Sequence, residues 1–75
     1  VQQDKVNYLT MVEVDSMPVA QWPAGLPAPS LGDKVAWMIE DNPVKFRVVD
    51  REWDIGSNDA DETTFAVLNI TGKSL

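Results

Sequence analysis

The chain is 75 residues long with a formal net charge of −6, twelve acidic against six basic residues, and it contains neither histidine nor cysteine. That length sets a single domain, residues 1–75, and the missing residue types exclude triads built on histidine or cysteine, the common zinc sites and disulfide stapling. The acidic balance opposes nucleic acid and anionic membranes, whose affinity comes mainly from lysine and arginine, and makes a basic protein or peptide surface the easier partner.

An apolar fraction of 44% and three tryptophans, Trp22, Trp37 and Trp53, mark a folding sequence rather than a disordered one. A domain this small has a net stability of roughly 4–11 kcal/mol, and one without staples often gains stability by oligomerising. No apolar run approaches the ~20 residues that span a bilayer. Val1-Gln2-Gln3-Asp4-Lys5 lacks the charged-then-apolar order of a secretory signal, so the default location is the cytoplasm.

The first element is a strand over 5–14, KVNYLTMVEV. Val6, Tyr8, Val12 and Val14 share one face at period two, opposite Asn7 and Glu13. Leu9 and Met11 interrupt the polar face, which points to a strand covered on both sides. Residues 15–31 hold four of the five prolines, Pro18, Pro23, Pro27 and Pro29, and Gly25. Each proline removes a donor and restricts its predecessor, so a helix or central strand is excluded. The segment reads as a long proline-rich loop anchored by Trp22, Leu26 and Leu31.

Residues 33–71 read as a three-stranded meander. Val35, Trp37 and Ile39 alternate inward over 33–40, and Asp41-Asn42-Pro43 is a turn signal. Val44, Phe46 and Val48 form the inward face of a strand over 44–54, opposite Lys45 and Arg47. After Val49 the phase is lost, as a bulge near Asp50 or a strand running on beyond the core would produce. A polar loop, Gly56 to Asp61, leads to a strand over 62–71. There Phe65, Ala66, Val67, Leu68 and Ile70 make both faces apolar, the pattern of a strand covered twice. Gly72 to Leu75 reads as a frayed tail. The fold class is all-β: a small four- to five-stranded antiparallel curled sheet or open barrel, with the first strand closing the sheet.

The turn and strand patterns Leu31-Gly32-Asp33-Lys34-Val35 and Phe46-Arg47-Val48-Val49-Asp50-Arg51-Glu52-Trp53 carry a resemblance. The order of a long loop after the first strand followed by a meander resembles the SH3-like small barrels. The two stretches are also similar to small proteins of bacteria, phages and mobile gene cassettes with a "P-x-G-D-x-V" lead-in and a later "V-V-x-R-x-W" strand. The resemblance covers about residues 27–70 and implies a fold rather than an activity. The alanine-leucine-tyrosine-aspartate-tyrosine run of peptide-binding SH3 domains is absent, so no polyproline groove is implied.

No catalytic signature is present. Ser16, Ser30, Ser57 and Ser74 lie in loops or the tail without an activating base, and the chain is short for the two-walled cleft of paired-carboxylate hydrolysis. Asp54 to Glu62 is the one metal-like run. Its spacing departs from a calcium loop, and it reads as a solvated turn. No metal or cofactor is expected.

The candidate binding residues are Tyr8, Trp22, Trp37, Arg47, Arg51 and Trp53. Arg47, Arg51 and Trp53, with Lys45, form either a cation–aromatic patch for an anionic group or ordinary cross-strand pairs with acids. Trp22 and Trp37 form either an aromatic groove or core, with the core the expected place for Trp37. The expected function is that of a non-enzymatic interaction module, protein or peptide binding or homo-oligomeric, with a dimer favoured because two strands are apolar on both faces. The alternatives are a small-molecule-binding barrel with Tyr8, Trp22 and Trp37 around an internal pocket, or a structural subunit of a phage or bacterial assembly.

Overall fold

The protein is described by a computed structural model, which covers residues 5–60 and 62–75. The described chain is all-β, without a helix. Its strands are β1 (Lys5–Val14), β2 (Met17–Gln21), β3 (Lys34–Ile39), β4 (Asn42–Asn58) and β5 (Thr63–Ser74). They form one curled, half-barrel sheet of five strands in the order β2-β1-β5-β4-β3. The meander β3-β4-β5 is antiparallel, and β1 closes the sheet against β5. That closing pair is parallel, so the sheet is mixed rather than wholly antiparallel. A chain that enters on β1 and ends on β5 must cross over to reach β3, and residues 22–33 make the crossing.

Tight turns set the hairpins. Asp15 and Ser16 both have positive φ (52° and 67°), as do Glu40 and Asp41 (47° and 68°). Paired left-handed residues between antiparallel strands are the hairpin turn whose twist matches that of the strands. The second turn therefore sits ahead of the expected Asp41-Asn42-Pro43, and Pro43 lies within β4 opposite Met38. Val48 exchanges main-chain bonds with Asp33 and Gly32, so even-numbered residues of this stretch point their backbone toward β3. Pro43 then points the other way, beyond the end of β5, where no donor is required.

Residues 15–31 are more structured than a loop. They begin with the β1–β2 hairpin, in which Pro18 is accommodated because β2 is an edge strand. Two turns follow, Pro23–Leu26 and Ser30–Asp33, each closed by a main-chain hydrogen bond. Gly25 (φ 85°) and Gly32 (φ 86°) hold the third position of each, where a type II turn requires positive φ. The Trp22 N–H bonds to Thr10 O at one end of the segment, and Gly32 N–H bonds to Val48 O at the other. The segment thus spans the mouth of the half-barrel from the β1 side to the β4 side.

Beneath it lies the core: Val12 and Val14 of β1, Phe46 and Val48 of β4, and Leu68 and Ile70 of β5. Val19, Trp22, Ala28, Val35, Trp37 and Val44 pack around them, and Pro29 is buried. The last residues are not frayed. β5 continues to Ser74, Gly72 is buried, and the Asp15 carboxylate accepts bonds from the Ser74 hydroxyl (2.5 Å) and N–H (3.1 Å).

Only half of the sheet is covered. β1, β5 and β4 run on past the bridging segment as a three-stranded arm. The molecule measures 47 × 22 × 18 Å with a radius of gyration of 14.5 Å, against about 11 Å for a compact chain of this length.

Candidate functional site

The site follows from one extra residue in β4. Val48 pairs with Gly72 and Asp50 with Thr71, leaving Val49 unmatched in a bulge. The unmatched residue reverses the parity of the alternation, so that odd-numbered side chains of β4 face inward after it. Before the bulge, Phe46 and Val48 face the core, with Lys45 and Arg47 on the convex side. After it, Arg51, Trp53 and Ile55 take the concave face, paired with Ile70, Leu68 and Ala66. Asp50, Glu52 and Asp54 go to the convex side. Arg47 and Arg51 therefore lie on opposite faces, and the expected patch of Lys45, Arg47, Arg51 and Trp53 is split in two.

The concave half of that split meets β1. In the parallel β1–β5 register Tyr8 pairs with Ala66 and Thr10 with Leu68, so Tyr8 shares the concave face with Leu68, Trp53 and Arg51. The bridging segment supplies the remaining wall. These elements enclose a groove of about 430 Å3 whose lining includes Tyr8, Trp22, Leu26, Arg51, Trp53 and Leu68. Four of the expected binding residues, Tyr8, Trp22, Arg51 and Trp53, are thus brought together.

Their surroundings differ in a useful way. Tyr8 is 73% exposed and Trp53 52%, so both offer ring surface to a ligand. Trp22 is held: its indole N–H donates to Leu26 O and Pro27 O, both at 3.2 Å, and its ring meets Trp37 edge-to-face at 5.0 Å and 67°. Trp37 is half-buried against the core and stands behind Trp22, outside the groove lining. Among the described residues no carboxylate lies within ion-pair distance of the Arg51 guanidinium, whereas that of Arg47 donates to Gly32 O at 3.5 Å. Among the described residues the groove thus carries a cation without an ion-pair partner, between aromatic and aliphatic walls.

Two contributors escaped the sequence reading. Leu68 forms the floor, but a strand apolar on both faces gives no phase to say which side it serves. The wall from Pro23 to Ala28 was legible in part, since glycine two residues after Pro23 signals the turn that shapes it.

Other expected features lie elsewhere. In the Asp54–Glu62 run, Asp54 accepts a bond from Asn69 at 2.5 Å and Asn58 caps its own turn at Ala60 N–H. Asp61 lies outside the described residues. Among the described residues no three acidic side chains gather as a metal site, and no helix is long and apolar enough to cross a membrane. Compared with family models, with curated proteins and with solved structures, the chain matches none.

Proposed function

We propose that the protein is a non-enzymatic interaction module that captures an extended segment of a partner protein in the groove between the arm and the proline-rich wall. The observation that carries this reading is the convergence of Tyr8, Trp53 and Arg51, which has no ion-pair partner among the described residues, on one open, mostly apolar surface braced by a fixed Trp22. Exposed rings with few rotatable bonds supply contact area at little entropic cost, and arginine beside them recognises a carboxylate in a fixed geometry. The ligand chemistry is an aromatic or aliphatic side chain next to an acidic group. At longer range the net charge of −6 favours approach of a partner that is basic overall.

A small molecule enclosed in the barrel has less support, because the interior beneath the bridging segment is filled by Phe46, Leu68 and Ile70. The test is calorimetric titration with acetylated hexapeptides that pair one phenylalanine or leucine with one glutamate. Saturable binding is expected, weakened about tenfold or more by Arg51→Ala or Trp53→Ala as for central interface residues, and unaffected by Arg47→Ala. Absence of binding across the panel, or equal loss with Arg47→Ala, would contradict the reading.

A further inference from the structure

Among the described residues the arm leaves a strand edge without a partner. β2 pairs with β1 only from Met11 to Val14, and the last bond on that side is Trp22 N–H to Thr10 O. Among the described residues nothing pairs the same edge of β1 from Val6 to Leu9. Backbone groups alternate sides along a strand. Since the Thr10 carbonyl faces this edge, those of Val6 and Tyr8 face it too, while Asn7 and Leu9 bond toward β5.

Exposed edges invite another strand unless charge, proline or a covering element protects them. The other edge of the arm, on β4, is protected by Arg51, Glu52 and Asp54. Residues 5–12 carry no acid at all, in a chain with twelve. Lys5 is the one charge of the stretch and Asn7 its polar centre; beside them Val6 is 58% exposed, Tyr8 73% and Leu9 36%.

We infer that this edge pairs with the same edge of a second copy, antiparallel about Asn7. The sequence is self-complementary in that register. Val6 of each copy stands opposite Tyr8 of the other, and their outward N–H and C=O groups are the ones that bond. The two cross-strand pairs are then valine–tyrosine, a favourable aromatic–β-branched combination, and no acid faces an acid. A two-fold axis perpendicular to the sheet keeps both concave faces on the same side. The two grooves therefore lie next to each other on one six-stranded floor and stay open to a partner. Edge pairing buries less than the standard interface of about 1,600 Å2 in total, so the dimer is weak and depends on concentration. The pairing stands on the strand edge alone and not on the ligand proposed for the groove.

The test combines light scattering across a concentration series with amide hydrogen exchange. The mass should rise from 8.3 kDa toward twice that value as concentration increases, and the Val6 and Tyr8 amides should gain protection over the same range. Val6→Pro removes an outward donor without touching the β1–β5 ladder, and should weaken association at least tenfold with an unchanged far-ultraviolet spectrum. Tyr8→Lys, placing like charges across the axis, is the second variant should the first fail to fold. A mass that stays at 8.3 kDa up to about 1 mM chain would overturn the inference, as would a dimer whose Val6 and Tyr8 amides exchange freely. Loss of peptide binding with the dimer intact would instead count against the groove.

Discussion

Phe46 is fully buried, and its ring lies so close over Gly72 that a Cβ there would sit 2.4 Å from Cδ2. The glycine is required by that approach rather than by its backbone angles. Gly72→Ala must displace a ring that has no free space, and the expected cost is about 1–3 kcal/mol, as for overpacked cores. Chemical denaturation measures it, and an unchanged midpoint would mean that the ring can move aside. Asp15 is the second informative residue. Its carboxyl is held below the ordinary carboxylate value chiefly by the Ser74 hydroxyl, then by the Ser74 N–H. A lowered folded value favours the ionised form, so this contribution is complete above the ordinary value of 3.8 and is lost as pH falls through the lowered one. Asp15→Asn keeps a residue tolerant of positive φ and should flatten the dependence of the thermal midpoint on pH below about 4. An identical pH profile in the variant would remove the latch.

At the scale of elements, the bulge at Val49 decides the most. Deleting Val49 would close the bulge and leave Asp50 opposite Thr71 and Arg51 opposite Ile70, so Arg51, Trp53 and Ile55 would keep the concave face in an even ladder. The expected result is a change within about 1 kcal/mol, since the contacts against Leu68 and Ile70 are kept and Val49 is itself half-exposed. A loss of several kcal/mol would show instead that the core depends on the bend the bulge gives β4. Much at this scale was legible in the sequence. Alternation placed β1, β3, β4 and β5, and the lost phase after Val49 pointed to a bulge or to a strand running beyond the core, both of which β4 has. The unreadable parts have physical causes. Proline density at 18–29 masked β2, because an edge strand tolerates a proline that a central strand would not. The parallel β1–β5 pairing depends on a crossover that local pattern does not encode. The tail was hidden because its order comes from Asp15, far away in sequence. The candidate site was legible as residue types, with Tyr8, Trp22, Arg51 and Trp53 named from side-chain chemistry and their places on strands and in the proline-rich segment. The convergence of Arg51 and Trp53 with Tyr8, and the separation of Arg47 from them, depended on which residue the bulge skips, whereas Trp37 is set apart by its place on β3 behind Trp22.

For the molecule as a whole, the crossing segment both covers the core, through Trp22, Ala28 and Pro29, and walls the groove. Core stability and groove shape are therefore linked through Trp37, which supports Trp22. Trp37→Ala should cost about 3 kcal/mol, the lower end for aromatic truncation given its partial exposure, and should also weaken peptide binding. The acidic run Asp54–Glu62, whose first half lies in β4, should by contrast be inert, with millimolar calcium leaving the thermal midpoint unchanged; a clear rise would make it a metal site. The most direct test of the groove is to follow the three indole N–H signals by nuclear magnetic resonance while an acidic–aromatic hexapeptide is added. Trp22 and Trp53 should shift together and saturably, with Trp37 nearly still. Movement of Trp37 with Trp53 unmoved would place the binding surface elsewhere and contradict the account.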